Sequence, residues 1–232
     1  MTNRYLLRIP ILASRLLQFA YDNGITQEDE TLGYTLHAWF TALFGQNAPK
    51  PFRYIEHRNE VLGYTVLPAT SLSEYAQAFA SPLAWAALDP ESVVSKPMPN
   101  SWRHGQQIRM EVLTCPVSRK DEQEKDVYLR MLDKIGDQSP SRTEVYRDWF
   151  LRQWDGVVKF SRIDLVGMNS RSRLLRRSRN GNNRLLFVER PQALFTADAI
   201  IENGERFAEQ ISRGIGRHRA FGFGMVLLVP PR

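Results

Sequence analysis

Twice along 232 residues the hydrophobic pattern runs strand, helix, strand, strand, helix, strand. That order predicts an α+β fold of two tandem ferredoxin-like (RRM-like) domains. Three observations carry the expectation: the switch between alternate-residue and 3.6-residue periodicity, a Ser-x-x-Glu capping box at a helix start in each repeat, and a stretch rich in Pro, Asn, Ser and Gly between the repeats. The division that follows is a first domain at 1–96, a linker at 97–105 and a second domain at 106–232.

In the first repeat, "RYLLRIPI" (4–11) alternates as a strand, and "ASRLLQFAYDNG" (13–24) reads as a short helix stopped by glycine. "ETLGYTLHAWFTALFG" (30–45) has the strongest helical pattern, with Leu36, Phe40, Leu43 and Phe44 on one side and Gly45 at its end. "PFRYIEHR" and "VLGYTVL" alternate as strands. "SLSEYAQAFA" is expected to be a helix with Ser71 as N-cap and Glu74 completing the box, and a return strand near 92–96 closes the unit.

The second repeat opens with the strand "QQIRMEVLTCPV", followed by the helix "SRTEVYRDWFLRQW" behind the box of Ser141 and Glu144. "VVKFSRIDLVGMN" and "RLLFVERP" are strands on either side of an arginine-rich segment. "DAIIENGERFAEQIS" is expected to be one amphipathic helix, with Ile200, Phe207, Ala208 and Ile211 inward and Glu202, Glu205 and Glu209 outward. The apolar run 225–229 is the last strand.

A hydrophobic content of 43% is enough to bury a core. The single cysteine, Cys115, excludes an intramolecular disulfide and a multi-cysteine metal site, reads as packing in an alternating run, and fits a reducing compartment. No run approaches the roughly 18–20 apolar residues of a membrane span, and no signal-peptide pattern opens the chain. A cytoplasmic protein is expected.

The formal charge of +6 is unevenly spread. Residues 170–184, "SRSRLLRRSRNGNNR", carry Arg171, Arg173, Arg176, Arg177, Arg179 and Arg184 with no acid among them. Planar guanidinium forks suit phosphate better than a lysine point charge does. "NGNN" supplies turn chemistry, so the whole segment is expected at a hairpin tip, where it buries nothing and can reach along a nucleic-acid groove.

A second cationic stretch, "RGIGRHRAFGFGMVLLV" (213–229), sets Gly214, Gly216, Gly222 and Gly224 around Arg217, His218 and Arg219. Glycines between a helix and a strand can present backbone N–H groups to an anion, and the two arginines would reinforce such a cradle. The same glycines would also serve a tight helix-to-strand connection. Neither G-x-x-x-x-G-K-[ST] nor G-x-G-x-x-G is present.

Four histidines could move protons near neutrality: His37, His57, His104 and His218. Tyr34, His37 and Thr41 share a polar face one helical turn apart, beside the apolar stripe. Read from the residues alone, His37 could also be an ordinary core or surface histidine, and His218 is its rival.

The tail "GIGRHRAFGFGMVLL", with "GYTLHAWFTALFG", "PKPFRY", "VYRDWFLRQ" and "ERFAEQISRGIGRHRAFGFG", resembles the RAMP proteins of CRISPR systems over nearly the whole chain. Within them it is most similar to the CasE-type repeat-RNA endoribonucleases of Cascade (subtype I-E) complexes, or to a close relative such as the processing subunit of type IV systems. The basic "RHR" in the loop is a departure from many members. The resemblance implies metal-independent cleavage of CRISPR precursor RNA beside its repeat hairpin, with no cofactor. The 2′-OH attacks in line to leave a 2′,3′-cyclic phosphate, and the enzyme stays on the crRNA stem-loop as a subunit of the effector complex. It implies Tyr34 and His37 as the catalytic pair. The arginines of 171–184, Gly214, Gly216, Arg217, His218, Arg219, Gly222 and Lys96 are the expected RNA contacts. No His-Glu-x-x-His, cysteine cluster or paired carboxylates point to a metal. Two other expectations stay open: a subunit that binds the hairpin without cutting it, and an unrelated tandem-RRM RNA-binding protein.

Overall fold

The computed structural model describes residues 4–25, 31–121, 123–177 and 184–230. Two compact units emerge. The first comprises the described residues of Met1–Asn100, Arg173–Val188 and Ala220–Gly222; the second comprises those of Ser101–Ser172, Glu189–Arg219 and Phe223–Arg232. Each unit is therefore assembled from separated stretches of chain, whereas the sequence division at 96 and 106 is contiguous.

The first unit follows the expected order. Strand β1 (Tyr5–Pro10) leads to helices α1 (Ala13–Asp22) and α2 (Leu32–Phe44), then β2 (Phe52–Ile55), β3 (Glu60–Thr65), helices α3 (Ala69–Phe79) and α4 (Pro82–Ala86), and β4 (Val94–Pro97). The antiparallel sheet has the order β2-β3-β1-β4, the ferredoxin-like arrangement. Leu7 and Ile9, two residues apart on β1, point to one side and meet Trp39, Phe40, Leu43 and Phe44 of α2 with Leu72 and Ala76 of α3. Burying each large apolar side chain is worth about 1.5–3 kcal/mol, so this face fixes α2 on the sheet. The Trp39 indole N–H donates to the Ala84 carbonyl at 3.0 Å.

Helix α3 departs from expectation at its start. It begins at Ala69 after Pro68, with no side-chain cap from Ser71; the Ser95 hydroxyl, on β4, accepts from the Ala69 N–H at 2.9 Å instead. A donor left over at a helix start was satisfied from a strand that is remote in sequence.

After residue 100, β5 (Gln107–Thr114), α6 (Arg142–Arg152), β8 (Val158–Arg177), β9 (Leu185–Ile201), α7 (Gly204–Arg213) and β10 (Val226–Val229) repeat the order, with sheet order β10-β5-β9-β8; the described residues of Arg173–Val188 in β8 and β9 fall in the first unit. The capping box of Ser141 and Glu144 is formed as expected. Between β5 and α6 lies an insertion absent from the sequence reading: the hairpin β6 (Val117–Lys120) and β7 (Gln123–Asp126), and α5 (Val127–Ile135). The buried Asp126 accepts from Arg142 and from the Tyr146 hydroxyl of α6, which pins the insertion. In the core, Phe150 stacks on Phe195 at 4.4 Å, with Met110, Val112, Phe207 and Val226 buried around them. Cys115 is buried. Phe207, Ala208 and Ile211 face inward on α7 as expected, but that helix opens only at Gly204 behind the Asn203 cap, and Ile200 belongs to β9.

The largest correction concerns the arginine-rich segment. Strand β8 continues through Arg177 and β9 resumes at Leu185, so Arg171, Arg173, Arg176 and Arg177 lie along a strand and not in a turn. Arg179 and the "NGNN" turn lie outside the described residues. No helix among the described residues is long and apolar enough to cross a membrane.

Candidate active site

Helix α2 of the first unit carries Tyr34 and His37 one turn apart, their rings 6.4 Å between centroids and edge to face. Tyr34 is 6% exposed. It lies in an apolar cluster with Ala20, Ile25 and Leu175, against which Leu185, Phe187 and Phe221 pack. A buried phenol needs a partner, and the Arg177 Nε donates to its hydroxyl at 3.3 Å. The Arg173 guanidinium sits 4.0 Å over the Phe187 ring, a cation–π arrangement. Arg171 and Arg184 are exposed; Arg176 is half-buried.

His37 is half-buried, and no described residue hydrogen-bonds its ring nitrogens. Thr41, expected on the same polar face, donates its hydroxyl to the His37 backbone carbonyl at 2.8 Å and leaves the ring alone. Burial, aided by the nearby charge of Lys50, holds the imidazole pKa below its ordinary 6.5. The ring is thus neutral at pH 7, with a nitrogen able to accept a proton.

Phe221 completes this cluster. Its ring stacks on Tyr34 (6.3 Å, 11°) and meets His37 edge-on (5.1 Å, 67°). Its carbonyl approaches α2 so closely that a Cβ at Gly33 would come within 2.6 Å of the oxygen. Glycine at position 33 is required by that approach.

The rest of the glycine-rich segment is tightly folded. Gly214 ends α7 with φ 74°, Gly216 packs on the Trp149 ring, and Gly222 on Phe52. At Gly224, φ is 75° and a Cβ would fall 2.2 Å from the Ile215 carbonyl, so the segment is folded on its own backbone. Arg217 and His218, expected to grip phosphate, both meet Glu124 of β7. The Arg217 Nε donates to Glu124 Oε2 at 2.6 Å, and the His218 Nε2 lies 2.6 Å from Oε1, which also accepts from Arg190 Nε at 2.6 Å. Burial alone would raise the Glu124 pKa, but His218, Arg190 and Arg217 outweigh it and hold the carboxyl far below its usual range. The His218 side chain is only 4% exposed. The Arg219 Nη1 donates to the Arg213 carbonyl at 2.5 Å. Lys96 is exposed on β4, paired with Leu6. The His104 Nδ1 lies 2.9 Å from the Glu202 carbonyl, and His57 sits in a 3-10 turn after β2.

Sequence reasoning missed Phe221, Gly33, Lys50, Phe187, Glu124 and Arg190. Phe187 had a signal, because it alternates within "RLLFVER"; the others are joined to their partners only by the fold.

The family model described as CRISPR associated protein matches residues 5–230. The chain belongs to the CRISPR-associated protein family. A search of curated proteins found no match. Among solved structures, the chain is similar to Thermus thermophilus Cse3 bound to an RNA representing a pre-cleavage complex, at 15% identity and TM-score 0.62, covering 98% of this chain and 100% of that one. It is similar to Cas6e from Escherichia coli K-12 at 13% identity and TM-score 0.56, over 98% and 100% of the two chains. A chain of a CRISPR RNA-guided surveillance complex matches at 16% identity and TM-score 0.51, over 97% and 98%. These likenesses establish the tandem ferredoxin-like fold.

Proposed function

We propose that this family member is a CasE-type endoribonuclease that cuts CRISPR precursor RNA beside the repeat hairpin and stays bound to the product stem-loop as a subunit of an effector complex. The observation that carries the reading is the cluster on α2: a neutral imidazole whose nitrogens no described residue hydrogen-bonds, a phenol one turn away, and an arginine on that phenol. The similarity to the protein named CRISPR endoribonuclease Cse3 supports the same reading.

In the proposed reaction the 2′-oxygen bonds to phosphorus as the P–O5′ bond breaks, giving a 2′,3′-cyclic phosphate and, as water protonates the departing oxygen, a 5′-OH. His37, neutral at pH 7, takes the proton from the 2′-OH. Tyr34 and Arg177 hold the phosphate oxygens in line and offset charge on the phosphorane. One positioned proton-transfer group contributes about 10²–10⁴ in rate. Exposed arginines along β8 grip the stem through phosphates, and base edges become reachable near a helix end, where the deep groove of A-form RNA opens. On this reading Lys96 and the arginines of 171–184 bind RNA, the partners are crRNA and the other complex subunits, and the protein works in the cytoplasm.

The test is cleavage of a repeat hairpin in EDTA by the wild type and His37→Ala. The wild type should cut without added metal. His37→Ala should lose at least about 100-fold in rate while binding the hairpin as before. A metal requirement would overturn the mechanism, and collapse of affinity in His37→Ala would make the residue structural.

A further inference from the structure

We infer that Phe221 is a positioning residue for the His37 imidazole, an inference that rests on the endoribonuclease reading above. An imidazole that moves a proton is ordinarily oriented by a hydrogen bond to its second nitrogen. No described residue supplies one to His37. The ring instead has aromatic walls: Phe221 edge-on at 5.1 Å and Tyr34 at 6.4 Å, with Phe221 and Tyr34 stacked on each other at 11°.

Those contacts restrict how far the imidazole can turn about its side-chain bonds. The Phe221 ring also removes water from the same face of His37, in keeping with burial as the main cause of its lowered pKa. The placement is built into the backbone. Gly33, one residue before Tyr34, has no Cβ, so the Phe221 carbonyl can lie where that atom would come within 2.6 Å. One small residue and one ring, 188 positions apart in sequence, thus hold the acceptor nitrogen in place.

The test uses the full-length protein with Phe221→Leu, which keeps apolar bulk but removes the ring, and Phe221→Tyr, which keeps the ring. Gly33→Ala is a second route, since its methyl displaces the Phe221 carbonyl without removing the ring. Two readouts are taken: single-turnover cleavage at saturating hairpin RNA together with its Kd, and the NMR titration of the His37 Cε1 proton, identified by its loss in His37→Gln. Phe221→Leu and Gly33→Ala should cut about 10- to 100-fold more slowly with hairpin affinity within about 3-fold, while the His37 midpoint rises toward 6.5. Phe221→Tyr should restore both. Unchanged rate and unchanged titration in Phe221→Leu would overturn the inference, as would loss of affinity in step with rate. Failure of the wild type to cut RNA would remove the endoribonuclease reading, while the titration would still decide whether Phe221 governs the His37 environment.

Discussion

Arg177 of β8 and Arg217 of the glycine-rich loop both lie in sequence clusters of guanidinium among small residues, yet their partners differ in kind. In the loop, Arg217 is spent on Glu124 and Arg219 on the Arg213 carbonyl. On the strand, Arg177 meets a neutral hydroxyl and has no acid partner among the described residues, and Arg173 lies over a neutral ring. What separates the two is an acid on β7, 93 residues before Arg217. Local charge density reports a capacity to bind anions; remote partners decide whether that capacity is left for a ligand.

The largest effect that would break this comparison comes from the strand. Replacing Arg171, Arg173, Arg176 and Arg177 together with alanine should weaken hairpin binding by about 100-fold at physiological salt and lower the log–log salt slope by roughly 3, because each lost phosphate contact retains its counterion. Filter binding across salt concentrations checks this, and an unaltered slope would return these residues to ordinary solvated surface. Next, Glu124→Gln should act on stability and spare RNA affinity. It leaves Arg190 and Arg217 without this carboxylate, at a cost near the low end of about 3–5 kcal/mol. That corresponds to a Tm lower by roughly 6–12 °C for a chain of this size. Since the folded carboxyl titrates below its unfolded value, its stabilisation is complete above about pH 4.5 and fades as pH falls below that. The gap between wild type and variant in thermal melts should therefore hold above about pH 4.5 and narrow progressively below it.

A smaller effect sharpens the strand side. Phe187→Leu removes the ring under Arg173 and should cost hairpin affinity about 2- to 5-fold, matching the roughly 0.5–1 kcal/mol of an exposed cation–π pair. Smallest is Lys50→Ala, which tests a cation that acts through space. Its charge helps hold His37 below 6.5, so its removal should raise the acid-side midpoint of the kcat/KM profile. A midpoint that stays put or falls would show that burial alone sets the value.

Most of the fold was legible because alternation and 3.6-residue stripes record which face is buried, as Leu7 and Ile9 on β1 and Phe40, Leu43 and Phe44 on α2 show. What was not legible depended on partners supplied from afar. Ser71 had the chemistry of a cap, but Ser95 took the position. The strands "VSRK" and "QEKD" are too polar to betray a hairpin held by Asp126 and Glu124. The reach of β8 could have been read, since Ser and Arg alternate at 170–173, yet charge suggested a turn. Tyr34 and His37 were visible as a helical pair; Phe221, which touches both, was not.

The interleaved make-up of the first unit bears on how the protein can be cut into pieces. A recombinant fragment ending at residue 100 would contain Tyr34 and His37 but lack Leu175, Leu185, Phe187 and Phe221, which cover that part of α2. Such a piece would expose a bare apolar surface where the intact chain has a cluster. Inactivity or aggregation of an amino-terminal half would therefore reflect missing walls, with its presumed reactive groups all still aboard.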